Sequence, residues 1–145
     1  MKFLHTIMGK LPEFQELETA VKAGALPAAV TGLSAIHKAN FIASLCVRQK
    51  RRAFVLAGDE SEAQRLCADL SAMGLRPLFY PYRDFSLRDT EGASHEYERQ
   101  RLQVLALMAA GEYDAVVACP DAALQYTLPP EELKRRALTL APGQQ

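Results

Sequence analysis

An α/β domain with a mainly parallel sheet and helices on both faces is the fold class this sequence predicts. Three observations carry it. Apolar runs of strand length recur, the clearest being Ala53-Phe54-Val55-Leu56-Ala57 and Ala115-Val116-Val117-Ala118-Cys119. Stretches with helical spacing of apolar residues lie between them, and Gly24, Gly58 and Gly74 punctuate the joins. Strands separated by helices of this length imply right-handed βαβ crossovers, hence parallel pairing.

Taken in order, Phe3 to Met8 and Phe14 to Val21 read as helices. Pro12 sits where a first turn tolerates proline, and Phe14, Leu17 and Val21 recur at helical spacing. Ala23-Gly24-Ala25 ends the second helix, since glycine accepts the left-handed cap conformation. Pro27 to Thr31 reads as a short apolar strand. Ser34 is a plausible N-cap for a helix presenting Ile36, Phe41, Ile42 and Leu45, closed by the basic run Arg48, Lys50, Arg51 and Arg52. Ala53–Ala57 is continuous enough to be a buried parallel strand. Gly58-Asp59 then turns into a helix carrying Ala63, Leu66, Cys67, Leu70 and Met73, and Pro77 to Tyr80 follows as a strand. Tyr82 to Ser94 is polar and irregular. A helix from about His95 to Ala110 has Tyr97, Leu102, Leu105 and Met108 as its expected inward set. Ala115–Cys119 is the next strand, short helices start at Pro120 and Pro130, and Ala137 to Leu140 starts a final strand. Three parts are expected: a helical appendage over 1–26, the α/β domain over 27–136, and over 137–145 the start of a following strand or domain, ending abruptly as though cut from something longer.

The 145 residues suit one domain, and 49% hydrophobic residues are ample for one core. Seventeen basic and seventeen acidic side chains cancel, so no global charge drives the chain toward nucleic acid or an anionic membrane. No apolar run approaches the roughly 20 residues of a membrane span. The N-terminal apolar stretch is broken by His5 and Lys10, which is unlike a signal peptide. Cys46, Cys67 and Cys119 are odd in number and widely spaced. They read as core residues in a reducing, cytoplasmic compartment, with no metal-ligand spacing and no metal expected. His5 and His95 have no ligand-spaced partners.

In an open α/β sheet, ligands gather where strands end at their C-termini. The first such place is the loop after Pro27–Thr31. A phosphate-binding loop runs G-x-x-x-x-G-K-[ST] between a strand and a helix. Here its first glycine falls on Gly32, its second on His37, its lysine on Lys38 and its hydroxyl residue on Ala39. Histidine lacks glycine's backbone freedom, and positive φ at such a residue costs about 1–2 kcal/mol. Ala39 has no hydroxyl for magnesium. A helix terminus contributes about 0.3–1 kcal/mol, whereas millimolar affinity needs roughly 4 kcal/mol. A non-binding loop is therefore expected and no cofactor; Lys38 keeps weak anion binding open. Asp59 resembles the acidic end of a magnesium-holding strand, but it also stands where a helix needs an N-cap, and capping is the preferred reading.

The order of these pieces resembles a known family. Thr31-Gly32-Leu33, the helix through Phe41-Ile42-Ala43-Ser44-Leu45, Phe54–Ala57, Glu62-Ala63 through Asp69-Leu70, Phe79-Tyr80-Pro81, Tyr97-Glu98-Arg99 and Ala115–Cys119 with Pro120-Asp121-Ala122 follow its sequence of motifs. Together they resemble the UvrB-like N-terminal module of the bacterial transcription-repair coupling factors (Mfd). The likeness implies a RecA/helicase-like half-domain with a degenerate P-loop, and Phe54–Ala57 and Ala115–Leu124 as secondary helicase motifs. It implies a much longer protein that is an ATP-dependent DNA translocase, acts on stalled RNA polymerase and DNA, and recruits UvrA mainly through the domain after this one. For this stretch it implies no catalysis, a scaffold role, and contacts with other domains of the same protein. The competing class is a working nucleotide-binding ATPase or helicase domain with an unusual phosphate loop; a small DNA-binding module is a third.

Two further groups have double readings. Tyr82, Arg83, Phe85 and Arg88, beside Phe79 and Tyr80, are the candidate partner-binding residues, because aromatics interleaved with arginine stack on bases or anchor interfaces. Packing under the sheet edge is the plainer account. Arg48, Lys50, Arg51 and Arg52 read either as a phosphate-backbone patch or, preferably, as cations at a helix C-terminus, where the dipole favours them. Lys134, Arg135 and Arg136 read as ordinary surface pairs with the preceding glutamates.

Overall fold

Three of the expected strands form one parallel sheet in the computed structural model, which describes residues 2–82 and 96–138. β1 (Ala53–Leu56), β2 (Pro77–Tyr80) and β3 (Ala115–Ala118) are ordered β1-β3-β2. Ala53 and Pro77 both stand opposite Ala115, and Leu56 and Tyr80 opposite Ala118. The last strand in sequence is thus the middle one in space, and all four of its residues are buried.

The helices are α1 (Lys2–Met8), α2 (Pro12–Ala23), α3 (Ala35–Gln49), α4 (Glu60–Ala72), α5 (Glu96–Ala110), α6 (Pro120–Leu124) and α7 (Pro130–Arg136). Alternation along β3 divides them between two faces. Ala115 and Val117 pack with Ala39, Ala43 and Cys46 of α3 and with Ala63 and Leu70 of α4. Val116 and Ala118 face Val104 of α5 and Ala122 of α6. Helices on both sheet faces were expected, and they are present.

α1 and α2 are held on α3 by polar contacts as well as apolar ones. His5 is buried, with Nδ1 3.0 Å from the Ser44 hydroxyl and Nε2 3.2 Å from the Met73 carbonyl. Phe14 meets Phe41 edge-on at 4.9 Å between ring centres. Beside them the buried Glu18 carboxylate accepts from Arg48 Nε and Nη2, both at 2.8 Å, and from Gln49 Nε2 at 2.9 Å.

Four expectations need correction. Residues 27–31 are not a strand: they run exposed and outside the sheet. Pro27 has no N–H to give a ladder, and no strand among the described residues supplies the partner that would stabilise pairing. β1 is consequently an edge strand, not a buried one, with Phe54 58% and Leu56 56% exposed on the α5–α6 side of the sheet. On α3 the buried set is Ala39, Ala43, Ser44 and Cys46, while Phe41, Ile42 and Leu45 are half-buried and Ile36 is exposed. Small residues allow α1 and α4 to approach closely, and that closeness outweighs side-chain size. On α5 the buried pair is Arg101 and Val104, with Leu105 and Met108 half-buried and Tyr97 and Leu102 exposed. Arg101 turns inward because Nη1 donates to the carbonyls of Pro81 (2.8 Å) and Ala122 (3.3 Å), and its guanidinium lies 4.1 Å from the Tyr80 ring centre.

Ala137 and Leu138 are exposed and non-helical. The rest of the strand expected there lies outside the described residues, as does His95.

Candidate functional site

The loop singled out by sequence lies where α3 begins. Gly32 has φ 79°, the left-handed conformation a loop glycine is suited to. Only Leu33 and Ser34 separate it from α3, which starts at Ala35. Ser34 occupies the N-cap with extended backbone, but its hydroxyl makes no capping hydrogen bond; its carbonyl accepts from Lys38 N at 2.9 Å. His37, Lys38 and Ala39 are therefore helical. The positive φ expected to strain His37 does not arise, because the helix has already begun two residues before it. His37 and Lys38 are exposed, and Ala39 is fully buried in the core.

Two cavities flank the segment before this loop. One, of about 750 Å³, lies toward α2 and is bordered by Phe14, Leu17, Val30, His37 and Phe41. The other, of about 700 Å³, lies toward β1 and is bordered by Gly32, Lys38, Val55, Leu56 and Glu62. In the second, Lys38 Nζ is 3.9 Å from Glu62 Oε1. The same carboxylate accepts from Gly58 N at 2.8 Å through Oε2. A Cβ on Gly58 would sit 2.9 Å from that oxygen, so the turn accommodates glycine and little else without moving Glu62.

Asp59 does what its position predicts. It is the N-cap of α4, and Oδ1 accepts from Glu62 N at 2.7 Å. Glu62, three residues on, returns a bond to the neighbouring backbone, a variant of the reciprocal capping pattern. The Asp59 cap was legible in the sequence; the return bond from Glu62 and its pairing with Lys38 were missed. The consequence of that pairing is direct: the lysine of the phosphate-loop pattern, now in the first turn of α3, has a carboxylate for its neighbour. Among the described residues no group of three or more His, Cys, Asp or Glu side chains could hold a metal ion.

Of the aromatic–arginine group, Tyr82 is half-buried against the cluster around Tyr80 and Val116; Arg83, Phe85 and Arg88 lie outside the described residues. Phe79 packs half-buried on the α3–α4 core. Cys46 and Cys119 are buried, Cys67 is half-buried, and burial pushes the Cys46 and Cys67 thiols above their ordinary values, away from reactive thiolate. The basic run is dispersed in use: Arg48 binds Glu18, Lys50 is the left-handed C-cap of α3, and Arg52 donates to the Gly111 carbonyl. On α7, Arg135 and Arg136 both pair with Glu132.

With this geometry in hand, the chain compares with one curated protein. It is 27% identical over 135 residues to the transcription-repair-coupling factor of Bacillus subtilis, a match spanning 92% of this chain and 11% of that protein. The similarity supports a relationship to that kind of factor. The chain corresponds to about a ninth of the relative's length. No family model matches it, and no solved structure does. No helix among the described residues is long and apolar enough to cross a membrane.

Proposed function

We propose that this chain is a non-catalytic, UvrB-like scaffold domain of a transcription-coupled repair factor. In this reading Gly32, His37, Lys38 and Ala39 are the remnant of a phosphate loop in a RecA-type half-domain. The domain supports UvrA recruitment, mainly through the segment that follows it, and regulates a DNA translocase through contacts with other domains of the same protein. DNA and RNA polymerase are engaged by that whole protein. Tyr82, Arg83, Phe85 and Arg88 are the assigned partner contacts.

The observation that carries the reading is Lys38. Its ammonium faces Glu62 at 3.9 Å, and the next residue, Ala39, is buried and has no hydroxyl. A carboxylate beside the lysine repels a phosphate that the lysine would attract, and Ala39 offers magnesium no ligand at the position where the loop pattern places a hydroxyl. The similarity over 92% of the chain supports the family side of the proposal.

Two experiments test its two parts. Calorimetry with magnesium-ATP is expected to give no binding heat; micromolar affinity would overturn the non-catalytic part. Capture of UvrA by this chain and by one extended through the following domain is expected to succeed with the longer; if neither binds, recruitment is wrong.

A second reading, a nucleotide-binding ATPase domain with an unusual loop, draws on the 700 Å³ cavity beside Gly32 and Lys38. The same calorimetry decides it.

A further inference from the structure

Parallel strands bring the residues before each of them to one end of the sheet. Lys50, Arg51 and Arg52 precede β1, Arg76 precedes β2, and Tyr113 and Asp114 precede β3. These segments border a single open cavity of about 350 Å³, on the edge opposite the Gly32–Ala39 loop. Four cations face it, and Asp114 is the one acidic group in its lining. In a chain whose charges cancel overall, this is a local excess of positive charge.

Asp114 is committed. Its carboxylate takes Arg76 N at 2.8 Å, Nε at 3.1 Å and Nη2 at 3.1 Å. Those bonds hold the Asp114 carboxyl below its ordinary range, with Arg52 nearby adding to the effect. Glu112 is the other acid whose charge Arg76 feels. Arg52 donates to Gly111 O at 2.9 Å and lies 4.7 Å from the Tyr113 ring centre, which fixes its plane. Lys50 and Arg51 are exposed, and their side chains have no hydrogen-bond or ion-pair partner among the described residues. Lys50 also holds φ 52°, the one left-handed non-glycine residue described. Glycine would cap α3 there with less strain, so the side chain is kept at a conformational cost.

We propose that this basic cavity, formed by Lys50, Arg51, Arg52 and Arg76, binds the sugar–phosphate backbone of nucleic acid without reading sequence. Arginine forks match phosphate oxygens and stay charged at every working pH. Leu75 is buried and Tyr113 is covered by Arg52, so Val47, 47% exposed, is the one open apolar side chain in the lining, and a single valine makes no pocket to anchor a protein side chain. That absence among the described residues favours phosphate over an acidic protein partner. The inference goes beyond the scaffold reading and does not depend on the state of the phosphate loop.

The test is fluorescence anisotropy of a labelled 20-base-pair duplex titrated with the intact chain at several salt concentrations. Neutralising about three phosphates predicts an affinity loss of roughly 20-fold between 50 and 150 mM salt. The double variant Lys50→Gln/Arg51→Gln should bind more weakly and reduce that loss to about threefold. Lys134→Gln/Arg135→Gln removes the same charge from α7 and should leave both affinity and slope unchanged. No wild-type binding at 50 mM salt overturns the proposal, as does an equal effect of the two double variants. Polyglutamate binding as tightly as the duplex would overturn the nucleic-acid assignment in favour of an acidic protein. Far-ultraviolet circular dichroism of each variant confirms that it folds. Failure here leaves the ATP and UvrA experiments untouched.

Discussion

Glu18→Gln isolates the polar link that ties α2 to α3. The Glu18 side chain is 8% exposed and Arg48 35% exposed, so the pair is neither fully buried nor a surface bridge. Three hydrogen bonds converge on the carboxylate, two of them from the Arg48 fork. Losing a partner from a buried pair costs about 3–5 kcal/mol, and charged hydrogen bonds contribute about 1.5–3 kcal/mol. Because water reaches Arg48, the lower range applies, and about 2 kcal/mol is expected. With about 0.3 kcal/mol per kelvin of unfolding entropy for a chain of this size, the midpoint should fall by about 6 °C. Linkage supplies a second, sharper readout. The Arg48 hydrogen bonds, opposed by burial, hold the Glu18 carboxyl below its ordinary range. A depressed folded value means stability present above the unfolded carboxylate value and lost as pH falls through the folded one. Protonated Glu18 is nearly isosteric with glutamine, so the gap between wild type and variant should begin to narrow as pH falls below about 5 and close as pH passes through the depressed folded value. Thermal unfolding followed by circular dichroism across that range measures it. A gap that stays constant down to pH 3, or a midpoint change under about 1 °C at pH 7, would refute the reasoning.

Other perturbations follow from the same geometry. Arg101→Met should cost about 3 kcal/mol, because it strips the donor from the Pro81 and Ala122 carbonyls while preserving most of the volume over Tyr80; urea denaturation reads it, with Arg101→Lys recovering only part. Val117→Ala, fully buried on β3, should cost about 2 kcal/mol, whereas Phe54→Thr on the open face of β1 should cost less than about 1 kcal/mol. A reversed order in urea midpoints would mean that β1 is covered and the strand order is wrong. Lys50→Gly should raise stability by roughly 0.5–1 kcal/mol, the relief of a left-handed lysine less the entropy of glycine, while weakening duplex binding in the anisotropy assay.

The sheet was legible because its strands are nearly pure apolar runs, and a run such as Ala115–Ala118 has few alternatives to burial. Residues 27–31 misled because local apolarity says nothing about whether a neighbouring strand exists to pair with. The helix faces misled in a consistent direction. Size-ranked reading placed Ile36, Tyr97 and Leu102 inward, and these are exposed, while the core closes most tightly over Ala39, Ala43 and Ser44 and accepts Arg101. Close helix contact rewards small side chains, and a buried guanidinium is tolerated where carbonyls and a ring receive it. At the candidate loop the deviation of residues 37–39 from the phosphate pattern was readable, but the early start of α3 and the Lys38–Glu62 pair were not. Both depend on how α4 packs beside α3.

The two ends of the sheet differ in a way that bears on where phosphate chemistry can occur. At the C-terminal end, the place where α/β folds usually hold nucleotides, one lysine remains and faces a carboxylate. At the N-terminal end, four cations share a cavity with one acid that Arg76 already engages. Helix termini run against this contrast: the C-terminus of α3 steadies Lys50 and Arg51, but its partial negative charge opposes a bound phosphate, so the four side-chain cations have to outweigh it. Substituting Glu62 with glutamine would free Lys38 without restoring a hydroxyl at Ala39 or shortening α3. A gain in magnesium-ATP affinity from that one change would show that the carboxylate alone suppresses the loop. No gain would leave the early helix start and the missing hydroxyl as the sufficient cause, with the sheet's anion affinity residing at its opposite end.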